Sequence, residues 1–137
     1  MTGTGILLDT HIALWALTNS TRLSDAARKI LLSEDNEIYY SAASVWELTV
    51  KHCIHPEHLP FSGTMFARYC REAGYLPLPV EEKHVFALET LRRPDDAPGH
   101  KDPFDRILIA QAKAENLFLL THDRLIPYYN EPCIIRV

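Results

Sequence analysis

Glycine and cysteine are both scarce in this chain, with five glycines and three cysteines in 137 residues. Cys53, Cys70 and Cys133 are odd in number and widely spaced. They make no disulfide framework, and a reducing cytoplasm suits them. No glycine-rich phosphate loop is present, and no nucleophile-elbow pattern surrounds a serine. No apolar run approaches the roughly 18 residues needed to span a bilayer. No basic stretch followed by a long apolar run marks a leader peptide. The expectation is a soluble cytoplasmic protein without a membrane partner. An excess of positive charge is also missing. Lys and Arg number 14 against 18 Asp and Glu, a net charge of −4. A polyanionic partner would therefore be held by local basic residues or by metal, not by a global field.

What remains suffices for a core. Hydrophobic residues make up 47% of the chain, and the length suits a single domain over 1–137. No internal repeat or low-complexity segment interrupts it. Short apolar runs at Ile6–Asp9, Glu37–Ser41, Leu76–Leu78 and Leu117–Thr121 read as strands, with Ile134–Val137 as a last edge strand. Helical spacing appears at His11–Leu17, Asp25–Leu32 (with Ser24 as cap), Ala42–Lys51, Gly63–Ala73 and Glu81–Leu91. Arg92–Lys101 holds two prolines and a glycine and reads as a loop. Pro103–Glu115 is the clearest helix. Asp102 is placed to cap it, Pro103 suits its first position, and Ile107, Ala110, Gln111 and Ala114 share a face. Strands alternating with helices predict an α/β fold, a mostly parallel sheet covered on both faces.

Four acids stand at the ends of these elements. Asp9 closes the first strand, Glu47 lies about one turn into the helix after the second, Asp105 opens Pro103–Glu115, and Asp123 follows Leu117–Thr121. In a parallel sheet, ligands gather at the carboxyl edge. A helix from Pro103 to Glu115 spans about 20 Å, and a strand from Leu117 to Thr121 about 17 Å. Antiparallel to each other, they bring Asp105 beside Asp123. Clustered carboxylates repel unless a cation lies between them. An all-oxygen set without thiolate suits magnesium or manganese. Each acid also has a structural reading. Ser44 and Glu47 have capping-box spacing, as do Asp102 and Asp105. Asp9 suits a turn, and Asp123 suits a cap for Arg124–Tyr128.

The sequence resembles the PIN-domain ribonucleases and, among them, the VapC-type toxins of type II toxin–antitoxin pairs. Four segments carry the resemblance: Leu7-Leu8-Asp9-Thr10; Ser41-Ala42-Ala43-Ser44-Val45-Trp46-Glu47-Leu48 with Lys51; Asp102-Pro103-Phe104-Asp105-Arg106-Ile107-Leu108-Ile109-Ala110-Gln111-Ala112; and Leu120-Thr121-His122-Asp123. It implies a three-layer α/β/α PIN-like domain and a Mg2+- or Mn2+-dependent endoribonuclease. It implies that Asp9, Glu47 and Asp105 bind the metal, with Asp123 as a more variable fourth acid. Thr121 matches a hydroxyl position that orients an acid or a water, and Asp102 reads as helix cap with a supporting role. The implied partners are an RNA substrate, a cognate antitoxin and a second copy of the chain. No motif maps onto Ile54–Pro79.

Arg92, Arg93, Lys101 and Arg106 surround the approach to Asp105 and are expected to contact RNA phosphates. His122 is left open between proton donor, phosphate contact and surface residue. The tract His52-Cys53-Ile54-His55-Pro56-Glu57-His58 has zinc-ligand types but no second ligand pair, so a solvated helix end is the simpler reading. Trp15 and Trp46 are expected in the core. Two other functions remain open at this point. One is a phosphatase or phosphotransfer domain with an aspartyl nucleophile. The other is a non-catalytic domain that binds RNA or protein.

Overall fold

The computed structural model describes residues 3–59 and 61–137. Met1, Thr2 and Pro60 fall inside the single domain expected over 1–137, and Pro60 inside the motif-free Ile54–Pro79 stretch. All three lie outside the described residues. The strands are β1 (Thr4–Leu8), β2 (Asn36–Ser41), β3 (Leu76–Leu78), β4 (Phe118–Thr121) and β5 (Ile134–Arg136). The helices are α1 (Thr10–Leu17), α2 (Asp25–Leu32), α3 (Ala42–Ile54), α4 (Gly63–Glu72), α5 (Glu82–Ala87) and α6 (Pro103–Glu115). All five strands are parallel and run in the order β3-β2-β1-β4-β5.

The strand sequences explain the layers. Ile6, Leu7 and Leu8 of β1 are all buried, as a central strand covered on both faces requires. Successive side chains point to opposite faces. Leu7 and Leu119 join Ile107, Leu108, Ile109 and Ala112 of α6 in one core. Ile6, Leu8, Ile38, Tyr40 and Leu120 join Ile12, Ala27, Phe66 and Leu48 in the other. The result is the expected three-layer α/β/α arrangement. Gly63 lets α4 approach α3, since a Cβ there would lie 1.9 Å from Thr49 Oγ1 and 2.8 Å from the Val45 carbonyl oxygen.

Two expectations need correction. The helix expected over Glu81–Leu91 is α-helical only to Ala87 and tightens to a 3-10 turn over Leu88–Thr90. In place of a helix over Arg124–Tyr128 capped by Asp123, the alternative reading of that acid, a 3-10 turn runs over Ile126–Tyr129. Pro127 inside it and Asn130 in left-handed conformation after it keep it short. α6 runs as expected from Pro103 to Glu115, capped by the Asp102 side chain and closed by Asn116 at φ 56°.

Strand order decides where a ligand site can form. The chain moves outward from β1 to β2 and β3, then returns to the other side of β1 as β4 and β5. The order reverses between β1 and β4, and a crevice opens at their carboxyl ends.

Candidate active site

Asp9 leaves β1 at that crevice and precedes α1, with extended backbone and no capping contact from its side chain. It is only 3% exposed. Its Oδ2 accepts a hydrogen bond from Thr121 Oγ1 at 2.7 Å. Thr121 ends β4, so this bond spans the point where strand order reverses. Asp9 Oδ1 is buried and has no hydrogen-bond partner. Burial pushes the Asp9 carboxyl above its ordinary range, against the Thr121 hydrogen bond, and the Glu47 charge adds to the rise.

Glu47 is equally buried. The capping-box alternative fails for it, because α3 begins at Ala42 and is capped by Ser41, whose hydroxyl accepts from the Ala43 N–H. Ser44 and Glu47 therefore lie inside the helix, on the face toward α1. Thr10 Oγ1 donates to Glu47 Oε1 at 2.9 Å and lies 2.8 Å from Ser44 Oγ. Lys51, one turn on, donates to Glu47 Oε2 at 2.5 Å.

Asp102 caps α6 by accepting from the Phe104 and Asp105 N–H groups. That leaves the Asp105 carboxylate for another task. Its Oδ2 lies 3.2 Å from His100 Nε2, and His100 Nδ1 lies 2.7 Å from the Tyr129 hydroxyl. Burial pushes the His100 imidazole down, against the pull of Asp123 and Asp102. A neutral ring satisfies both contacts by donating to Asp105 and accepting from Tyr129. The Asp105 carboxyl is pushed up to about 8, by burial first and then by Asp9, Asp102, Asp123 and Glu47. Acids that leave β1, α3, α6 and β4 thus act on one carboxyl.

Asp123 has a local role as well. Its Oδ1 accepts from the Leu125 N–H at 2.6 Å, and its own N–H donates to Thr121 Oγ1 at 3.0 Å. Asp9 and Asp123 line a cleft of about 240 Å³ with His11, Trp15, Arg22 and His122. His122 is held by the Val137 carbonyl oxygen, 2.6 Å from its Nδ1, and packs edge-on against Trp15. Trp15 is half-buried. Trp46 overturns the core expectation. It is 62% exposed and meets Phe104 edge-on at 4.9 Å.

The donor set fits a hard divalent ion: oxygen atoms only, one of them a buried and unpartnered carboxylate oxygen. The four acids do not close into a tight cage, as unneutralised carboxylates would not. Among the described residues, the groups with ligand atoms all within 4.8 Å of one another lie elsewhere, at His55, Glu57 and His58 and at Glu81, His84 and Glu115. The first is fully exposed and three-membered, which does not make a structural zinc site.

Of the expected basic residues, Arg93 and Arg106 share a pocket with His100 and Tyr129. Arg92 lines it too, but its Nη1 donates to the Glu89 and Leu91 carbonyls. Lys101 is exposed and lies outside the pocket lining. Sequence reasoning missed His100, which has no periodic signal in a proline-bearing loop, and Thr10. It also missed the Ser41–Gln111 bond of 2.5 Å, which ties the start of α3 to α6. Gln111 on an apolar helix face was the available clue.

The PIN domain family matches residues 6–131, and the chain belongs to that family. No curated protein matches it in sequence. Solved structures that share its fold include the following three. VapBC2 from Rickettsia felis, bound to a DNA fragment from its promoter, has 19% identity and a TM-score of 0.65, covering 98% of each chain. A toxin–antitoxin complex from Klebsiella pneumoniae has 18% identity and a TM-score of 0.62, covering 95% of each. FitAcB from Neisseria gonorrhoeae has 18% identity and a TM-score of 0.59, covering 96% of each. No helix among the described residues is long and apolar enough to cross a membrane.

Proposed function

We propose that this PIN domain is an endoribonuclease and the toxin of a toxin–antitoxin pair, with Asp9, Glu47, Asp105 and Asp123 holding one or two Mg2+ or Mn2+ ions. The observation that carries the reading is the buried Asp9 with an unpartnered Oδ1 at the β1–β4 crevice, sharing a cleft with Asp123 while the charges of Asp9, Asp102, Asp123 and Glu47 crowd Asp105. Such an ion, when bound, neutralises charge at a scissile phosphate and lowers the pKa of water. The chain's own residues do the rest. Thr121 fixes one Asp9 oxygen and leaves the other unpartnered. Thr10 and Lys51 fix both oxygens of Glu47. His100 orients Asp105, and Asp102 frees it from capping. Preorganisation of this kind avoids reorganisation during the reaction.

An antitoxin as partner is supported by the two solved toxin–antitoxin relatives and by exposed apolar residues on α3. Trp46, Val50 and Ile54, spaced one turn apart, offer a protein contact face. A homodimer and a cytoplasmic location belong to the same reading. The test is cleavage of single-stranded RNA by the purified chain with Mg2+ and with chelator. Wild type should cut only with the metal. Asp9→Asn should fold and lose activity by a hundredfold or more, since an amide supplies no anionic ligand. Full activity in a folded Asp9→Asn would remove Asp9 from the site. No metal-dependent cleavage of any RNA would favour the non-catalytic binding alternative.

A further inference from the structure

His100 separates two neighbourhoods of opposite charge. Its Nε2 faces Asp105 of the acid cluster, and its Nδ1 faces the Tyr129 hydroxyl. On the tyrosine side lies a pocket of about 340 Å³ lined by Leu91, Arg92, Arg93, His100, Arg106 and Tyr129. Three guanidinium groups converge there in a chain whose acids outnumber its bases, 18 to 14. Among the described residues none of the three pairs with a carboxylate, although Lys51, Lys83, Lys113 and Arg68 all do. Arg92 is occupied by backbone carbonyls. Arg93 lies over the Tyr129 ring, 5.5 Å from its centroid, and its Nε is buried with no hydrogen-bond partner. Arg106 opens α6 one residue after Asp105, and its charge acts on the Tyr129 phenol together with that of Arg93.

Arg93 and Arg106, half-buried on one concave wall, lack the carboxylate counter-charge such groups ordinarily find. Guanidinium forks match the oxygens of a phosphate in two-point contacts. The Arg93 Nε–H, which has no partner, adds a donor of fixed direction, while the Tyr129 hydroxyl gives its proton to His100. We propose that this pocket is a phosphate subsite, which takes a backbone phosphate of the RNA strand next to the one presented to the acid cluster. The RNA part rests on the ribonuclease reading, while the phosphate part stands alone. An acid cluster repels the strand it must cut, and a cationic pocket one imidazole away offsets that repulsion. His100 touches both sides, so it holds Asp105 in register with the seated phosphate.

The first measurement is the melting temperature of the full chain in chelator, with inorganic phosphate against chloride at matched ionic strength. Phosphate should raise it in wild type, and Arg93→Gln with Arg106→Gln should abolish the rise. Should the glutamine pair fail to fold, Arg93→Lys with Arg106→Lys keeps the charge but loses the two-point geometry, and should bind phosphate several-fold more weakly. No rise in wild type, or an equal rise in a folded variant, would overturn the subsite. The second measurement is binding of a single-stranded oligoribonucleotide to Asp9→Asn across a salt series. Removing the arginines should make the salt slope shallower by roughly 0.7 for each phosphate that is no longer bound. A phosphate effect with an unchanged slope would overturn the RNA assignment and give the pocket to an acidic peptide. Failure of the ribonuclease reading looks different: no cleavage with Mg2+, with the phosphate effect intact.

Discussion

Two buried polar clusters sit on different sides of this molecule and are completed in different ways. Around His84, which is fully buried, every polar atom has a partner. Nδ1 accepts from the Glu81 N–H at 2.9 Å, Nε2 lies 3.2 Å from Glu115 Oε1, and Lys83 neutralises Glu115. Around Asp9 the set stays incomplete, with a carboxylate oxygen left unpartnered and the neighbouring Asp105 pushed up to about 8. Distance alone would favour the His84 cluster. Glu81, His84 and Glu115 bring ligand atoms within 4.8 Å of one another, and the four acids do not. Yet both His84 nitrogens are already engaged, Nδ1 at the start of α5 and Nε2 in joining α5 to α6. A satisfied polar cluster reads as structure, and one that needs a ligand to complete it reads as a site.

The contrast can be broken most sharply at His84. His84→Ala should cost about 2–4 kcal/mol, from the cavity and from the Glu81 N–H and Glu115 left without their partner. Urea unfolding would measure it, and isothermal titration should find Mg2+ affinity unchanged. A large loss of Mg2+ affinity would make the His84 cluster the metal site instead.

The acid cluster should behave in the opposite way, limiting stability until a cation arrives. The Asp105 carboxyl has an ordinary pKa of 3.8 and one of about 8 in the folded protein. Between these values the folded state keeps a proton that the unfolded chain has lost. Metal-free stability is therefore favoured below about pH 4 and falls as pH rises toward 8. At pH 8, Mg2+ at about a hundred times its Kd should return about 2.7 kcal/mol. Melting curves from pH 5 to 8, with chelator and with Mg2+, would measure both effects. Asp105→Asn should flatten the metal-free curve. A wild-type curve already flat in chelator would mean that Asp105 is not crowded.

The smallest expected effect is at Lys51, which is half exposed and pairs with Glu47. Lys51→Met should change stability by no more than about 1 kcal/mol. It should also tighten Mn2+ binding, since the ion would no longer compete with an ammonium group for Glu47. Unchanged Mn2+ affinity would place Glu47 outside the ligand set.

Much of this contrast was legible in the sequence because it rests on strand ends and caps. The apolar runs at β1 and β4 and the Asp102-Pro103 start of α6 fixed the crevice and sent three acids toward it. The start of α3 was harder. Ser41 and Ser44 both look like caps, and the Ser41 hydroxyl accepting from the Ala43 N–H, with Ser44 turned to Thr10 thirty-four residues away, decides between them. His100 was illegible for a related reason. Its partners Asp105 and Tyr129 come from different elements, and no periodic spacing links a loop histidine to either. Trp46 misled because residue type predicts burial only on average, and its place on the outer face of α3 follows from Glu47 taking the inner one.

The bond between Thr121 and Asp9 joins residues 112 positions apart. At a synthesis rate of about 5–20 residues per second, the first acid emerges from the ribosome roughly 6 to 22 seconds before the strand that orients it. β1 can pair with β2 early, but Asp105 and Asp123 follow Asp9 only 96 and 114 positions later. A nascent chain therefore carries part of the sheet long before the four acids can meet. If the protein cleaves RNA, the order of its strands keeps the four acids apart until the stretch from Asp9 to Asp123 has been made.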